Sequence, residues 1–199
     1  LVICGGGNLG GYHYPEDGTL GLRVADLYPE HRVVVLPQTY VTPWDAEGRK
    51  LADRVLGRSN VDVWLRDGAS WYYFNQDYHK GGVEPDTVMD HYEVPEVPKT
   101  HDWLLVRRQD AESTLQFPGG DWTDWSWEEL APRIGRHPRV MTDRLHVAIL
   151  ACRLQGEVWL VANTYHKNAA YFDTWWKNNP QVHFLGSQPE VDAFLREQG

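Results

Sequence analysis

A chain of 199 residues, 42% hydrophobic and 24% charged, has the make-up of a globular protein with one large domain or two small ones. Its formal net charge of -9 argues against a broad basic track for nucleic acid, which needs clustered Lys and Arg, while leaving room for a local basic pocket that holds a small anion. No apolar run approaches the roughly 18–20 residues that cross a bilayer, no signal peptide is visible, and the two cysteines, Cys4 and Cys152, fit neither a metal motif nor a disulfide framework; they read as buried free thiols of a cytoplasmic protein.

In chain order, Leu1–Cys4 reads as the end of a buried strand that enters a tight loop, Gly5-Gly6-Gly7-Asn8. There is no initiator Met, so either material upstream is expected to be missing or the protein is naturally reduced at its start. Leu20–Leu27 suits a short helix. Arg32–Leu36 has the apolar run of a fully buried parallel strand and stops at Pro37. Trp44–Leu56 has helical spacing, with Leu51, Val55 and Leu56 on one face. Val61–Leu65 is a β-rich run, Ala69–Asn75 starts a helix, and Gly81–Pro85 is a loop. The Pro-rich stretch Glu93–Lys99 resembles an interdomain linker.

Beyond it, Trp103–Arg107 is a strand, Trp122–Ile134 is partly helical, and Val140-Met141 is a short strand. Asp143–Leu154 is a helix, Val158–Ala162 a strand, Asn168–Lys177 an aromatic helix, and Val182–Leu185 a strand. Ser187 is placed to cap a last helix with Pro189 in its first turn. Strands alternating with helices predict an α/β protein, its parallel sheets covered on both sides. The Pro-rich break divides it into residues 1–95 and 96–199, with a cleft between the halves.

In open α/β sheets ligands bind beyond the carboxyl ends of the strands, and four such places carry chemistry. The glycine run Gly5–Gly7 with Asn8 lets backbone approach a ligand, or is a plain tight turn; it lacks the spacing of a dinucleotide site and the Lys of a P-loop. Arg66-Asp67 and Arg107-Arg108 each follow a strand, where an Arg forks onto a carboxylate or phosphate or makes a surface ion pair; Asp110 and Glu112 are placed to neutralise Arg107-Arg108. Thr142-Asp143-Arg144-Leu145-His146 joins a strand to a helix. Helix amides and Arg144 favour an anion there, His146 exchanges protons near neutrality, and Thr142 or Asp143 serves as N-cap. The bland alternative is a capped helix with a buried His. Asn163-Thr164-Tyr165-His166-Lys167-Asn168 offers polar groups and rings, or a solvated loop before a core helix. The ten Trp divide in the same way between core and sugar-stacking surfaces.

These pieces, in this order, resemble the polysaccharide pyruvyl transferase family, in particular the bacterial exopolysaccharide ketal pyruvyl transferases. The matching stretches are GGGNLG from Gly5, LPQT from Leu36, LRDGAS from Leu65, PDT from Pro85, RRQDAE from Arg107 and DWTDW from Asp121. TDRLH from Thr142 and NTYHKNAAYFDTWW from Asn163 are the most specific. The resemblance implies two Rossmann-like halves similar to the GT-B glycosyltransferase fold, with the N-terminal half truncated and on the acceptor side. It also implies phosphoenolpyruvate as donor, a saccharide or lipid-linked saccharide as acceptor, a pyruvate ketal as product, and no cofactor. The family's donor-site arginines and histidine map onto Arg66, Arg144 and His146. Arg108, Leu145 and Lys167 complete the expected donor site, and Asp143 orients Arg144 or His146. Gly6, Gly7, Asn8, Asn163, Tyr165 and His166 are the expected acceptor contacts. The chain departs from many relatives in having Gly11 where they carry Asp and Val147 where they carry Gly. The competing reading is a nucleotide-sugar-dependent glycosyltransferase on the same scaffold, acting on modified DNA or another non-polysaccharide acceptor; a third is a non-catalytic glycan-binding remnant.

Overall fold

The computed structural model describes residues 1–4, 8–10, 15–42, 44–87, 96–122 and 126–198, with the side chains of 8, 15–18, 127 and 128 outside the description. The chain divides into two compact units, Leu1–Thr87 and Val88–Gly199. The boundary expected at residue 95 falls on a stretch, 88–95, outside the described residues. Among the described residues no helix is long and apolar enough to cross a membrane.

The first unit runs β1 (Val2–Ile3), β2 (Asn8–Leu9), α1 (Pro15–Leu27), β3 (Val33–Tyr40), α2 (Ala46–Leu56), β4 (Val61–Leu65), α3 (Gly68–Tyr78) and β5 (Gly82–Val83). Every pairing is parallel, in the order β1-β3-β4-β5, with β2 also along β3. Strand β3 continues through Pro37 rather than ending there. The reason lies in the pairing: the β3–β4 register shifts between Val35 and Gln38, so the missing Pro N–H falls in an irregular stretch of the ladder. Strand β5 occupies the expected Gly81–Pro85 loop. Its Gly82 lies under the Trp64 ring, which fills the space a Cβ would need.

Helices α1, α2 and α3 all contribute to one core. Leu22, Ala25, Leu51, Val55 and Phe74 pack there with Val33, Val35, Val61, Val63 and Leu65 of the strands. The alternate strand residues Val2, Val34, Leu36 and Trp64 point the other way and stay out of that core; Val2 is 64% and Trp64 37% exposed. Among the described residues of this unit the three helices lie on one face, where cover on both was expected. Successive right-handed crossovers that step in one direction, β1 to β3 to β4 to β5, lay all three helices on one face.

The second unit runs β6 (Trp103–Val106), α4 (Trp127–Gly135), β7 (Arg139–Thr142), α5 (Leu145–Arg153), β8 (Glu157–Val161), α6 (Lys167–Tyr171), β9 (Val182–Leu185) and α7 (Gln188–Gln198). Helix α6 continues into a π-helical turn, Phe172–Trp176. The sheet is parallel throughout, ordered β6-β7-β8-β9. On one face Leu130, Ile134, Val147, Ile149, Tyr171 and Trp176 bury Val140, Val158 and Val182. On the other, Val191 of α7 and Phe117 cover Met141 and Val161, flanked by Trp103, Trp159 and Phe194 with ring centroids 4.7–5.4 Å apart. Here both faces are covered, as expected.

Helix ends show how side chains set boundaries. Asp45 caps α2 at Gly48 N (2.6 Å), Asp67 caps α3 at Ser70 N (2.7 Å), and Ser126 and Glu129 form a capping box on α4. Helix α5 starts at Leu145, with Arg144 as an N-cap that makes no side-chain cap bond. Neither Thr142 nor Asp143 is therefore the N-cap, although the Thr142 hydroxyl accepts from Arg144 N just before the helix (3.0 Å). Thr142 is still in β7, and Asp143 is drawn towards the segment after β6, as described below. Before α7, Glu190 accepts from Gly186 N (2.7 Å) and Ser187 N (3.0 Å). The cysteine expectation also changes: Cys4, just past the short edge strand β1, is exposed, and Cys152 is half-buried; both are free thiols.

Candidate active site

Beyond the carboxyl ends of β6, β7 and β8 in the second unit lies a cluster of charged side chains. Each strand end delivers one cation: Arg108 after β6, Arg144 after β7, and Lys167 at the start of α6 after β8. Arg108 forks onto Asp110 through Nε (2.8 Å) and Nη2 (2.7 Å) and reaches Glu112 through Nη1 (2.5 Å). Lys167 Nζ donates to the same Glu112 oxygen and lies 5.1 Å from the Tyr165 ring centre. Arg144 forks onto Asp121 through Nε and Nη2, both at 2.6 Å, and its Nη2 is 3.5 Å from Asp110. The Trp122 ring lies beside the Arg144 guanidinium, 5.6 Å from its centre.

Hydrogen bonds tie these strand ends together. Asp143 accepts from Arg108 N (2.7 Å) and from the Ser113 hydroxyl (3.1 Å), joining β7 to the segment after β6. Asn168 donates from Nδ2 to the carbonyls of Asp143 and Val161, both at 2.8 Å, joining β7 to β8. Asp121 also accepts from Gln109 N (3.0 Å) and Trp122 N (2.7 Å). Asn163 Oδ1 accepts from Asn168 N (3.3 Å), while its buried Nδ2 finds no hydrogen-bond partner among the described residues.

Burial and neighbouring charge set the protonation states. Burial pushes the Asp143 carboxyl above its ordinary value, outweighing the Arg108 amide, the Ser113 hydroxyl and the Arg108 charge, which pull it down. For Glu112, Asp110 and Asp121 burial acts in the same upward sense. Lys167 and Arg108 at Glu112, Arg108 at Asp110, and the Arg144 fork at Asp121 outweigh it and hold all three carboxyls below the ordinary range. These three are carboxylates at neutral pH.

The structure thus brings Arg108, Asp143, Arg144 and Lys167 into one network. His146 sits half-buried in the first turn of α5, beside them in sequence. Leu145 is in the same turn, but its side chain belongs to the hydrophobic core, so only its backbone can face a ligand. Tyr165 and His166 follow β8, with rings 6.0 Å apart and edge-on. Arg66 belongs to the first unit. It is buried after β4, with Nη1 3.1 Å from Asp86 and Nε 2.7 Å from the Thr39 hydroxyl. The surface ion pair considered for it is in fact an interior one. Asn8 contributes backbone to β2, opposite Thr39; Gly6 and Gly7 lie outside the described residues. Asp121 and Asn168 carry no role in the sequence reading, although both stand inside matching stretches. The i, i+2, i+4 spacing of Arg108, Asp110 and Glu112 is the one local signal for part of the network.

Two parallel α/β units, the second with a network of ion pairs at its strand ends, are what the structure shows, and the comparisons supply the family. The sequence model of the polysaccharide pyruvyl transferase family matches residues 1–165. EpsO of Bacillus subtilis (strain 168), whose name assigns it provisionally to pyruvyl transfer, is 22% identical over 233 aligned positions, covering 93% of this chain and 72% of EpsO. The solved structure of KP1_0663, a functionally uncharacterised protein from Klebsiella pneumoniae subsp. pneumoniae NTUH-K2044, superposes with a TM-score of 0.67 at 22% identity. It covers 94% of this chain and 75% of that one, which supports the fold. The chain belongs to the polysaccharide pyruvyl transferase family and is a transferase enzyme. This assignment does not favour the nucleotide-sugar reading.

Proposed function

We propose that the chain transfers the pyruvyl group of phosphoenolpyruvate to a sugar of a glycan, or of its lipid-linked precursor, and closes a pyruvate ketal. The observation that carries this reading is the meeting of Arg108, Arg144 and Lys167, from three separate strand ends, next to the helix turn that bears His146. Phosphoenolpyruvate presents a carboxylate and a phosphate, and guanidinium forks suit both. Among the described residues Arg144 Nη1 has no hydrogen-bond partner, so this donor is open to a ligand oxygen. Backbone amides at the start of α5 add to the attraction.

In this reading His146 gives a proton to the methylene carbon of phosphoenolpyruvate, leaving a cationic centre at C2. A sugar hydroxyl bonds to C2 and its proton returns the acid. The C2–O bond to phosphate then breaks, with the electron pair leaving on phosphate. A second sugar hydroxyl closes the ring, its proton passing to the departing phosphate. A positioned acid of this kind contributes on the order of a hundredfold or more. Arg66 is a further donor contact in this proposal, with Gly6, Gly7, Asn8, Asn163, Tyr165 and His166 on the acceptor side. Each unit is taken as a Rossmann-like half of the GT-B kind, and the reaction belongs to exopolysaccharide assembly in the cytoplasm.

The test is phosphate release from phosphoenolpyruvate, followed by phosphorus NMR with a panel of saccharide acceptors. His146→Ala is expected to abolish release with little change in melting temperature. Turnover at the wild-type rate would remove His146 from the mechanism. Stabilisation by nucleotide sugars, with none by phosphoenolpyruvate, would overturn the donor assignment.

A further inference from the structure

Six side chains of the second unit form a line of alternating charge, Lys167–Glu112–Arg108–Asp110–Arg144–Asp121. Three positive and three negative groups cancel. A dianion therefore meets a neutral line and gains little attraction until one carboxylate withdraws.

The three carboxylates differ in how firmly they are held. Glu112 has a 4% exposed side chain and is shared by two cations. Asp121 is 11% exposed and held by the Arg144 fork and two backbone amides. Asp110 is 30% exposed, is bound firmly only by its near neighbours Arg108 and Glu112 N, and lies 3.5 Å from Arg144. It is also the carboxylate that stands between the two arginines, where an anion with two or more oxygens would bridge them.

We propose that Asp110 is the exchangeable counter-ion of this site: the phosphate or carboxylate of the incoming donor takes its place between Arg108 and Arg144, and the Asp110 side chain turns to solvent. Donor binding is then an exchange of one anion for another, and Asp110 sets its affinity. The inference rests on the donor reading above. Glu112 and Asp121 remain in place and keep the arginines aimed during the exchange.

The experiment is titration calorimetry of inorganic phosphate and of phosphoenolpyruvate into the wild-type chain, Asp110→Asn, Asp110→Glu and the control Asp102→Asn. Asp102 pairs with Arg139 at an exposed site away from the network. Asp110→Asn removes the competing charge and should bind both anions on the order of tenfold more tightly. Asp110→Glu and Asp102→Asn should bind as the wild type does. A phosphate-soaked crystal of the wild type provides a measurement independent of variant folding, with Asp110 expected to have left Arg108. Equal or weaker binding by a folded Asp110→Asn, or a bound phosphate with Asp110 still on both arginines, would overturn the exchange and leave the donor reading standing. If neither anion binds any of the folded proteins, the donor reading fails and the exchange with it.

Discussion

Replacing Glu112 with Gln tests whether the network holds the second unit together as well as arming it. Glu112 Oε2 serves both Arg108 and Lys167, and both members of the Glu112–Lys167 pair have nearly buried side chains, 4% and 7% exposed. An amide of the same shape cannot balance two buried cations. Arg108 keeps Asp110, but Lys167 loses the Glu112 carboxylate oxygen to which it donates. Removing one member of a buried pair costs about 3 kcal/mol at the low end, a fall in melting temperature of roughly 6–12 °C for a chain of this size. The pH dependence has a defined sign. The folded-state carboxyl is depressed, so its stabilisation is fully present above the unfolded value of about 4.3 and is lost as pH falls through the folded value. The gap between wild type and variant should therefore be widest at neutral pH and close in acid. Scanning calorimetry from pH 7 to 3 reads both quantities. The double variant Glu112→Gln with Lys167→Met should recover part of the loss, since a pair removed together leaves no stranded charge. A melting temperature within about 2 °C of wild type at pH 7, or a gap that grows on acidification, would refute the reasoning.

The remaining expectations are simpler to read. Arg144→Lys keeps the charge but cannot fork onto Asp121 while presenting a further nitrogen. Its kcat/KM for phosphoenolpyruvate should fall on the order of tenfold to a hundredfold, and a steady-state comparison showing less than a twofold change would remove the fork from the site. Cys4 is exposed, whereas Cys152 is half-buried and its thiol is pushed up by burial, against a weaker pull from the Asn179 amide. A thiol-reactive dye should therefore label Cys4 first, with Cys152 much slower; the reverse order by mass spectrometry would contradict the burial assigned to them.

Strands such as Val61–Leu65 and Val182–Leu185 were legible to the residue, because each is a short β-branched or aromatic run bounded by turn residues. Pro37 misled because its cost depends on the partner strand: the register shift in β4 that tolerates it is 25 or more residues away in sequence. Strand β5 has two residues and so no periodicity to read. At the site, Arg144 announced itself at the start of a helix, but its partner Asp121 lies 23 positions earlier in a segment with no local pattern linking the two. Asp143 looked like a cap from its position before the helix, yet the bond it makes depends on where β6 ends. Local chemistry was therefore readable, and the pairing of groups across strand ends was not.

The sheet of the first unit, with its helices gathered on one side, has a consequence for dissection of the chain. Expressed alone to Thr87, that half would show water a strand face of Val2, Val34, Leu36 and Trp64, crossed by the Arg32–Asp62 ion pair. Such a fragment should bind fluorescent apolar dyes and cling to its own kind. The sandwiched half from Val88 onward has both sides of its strands clothed, and is the piece to express alone.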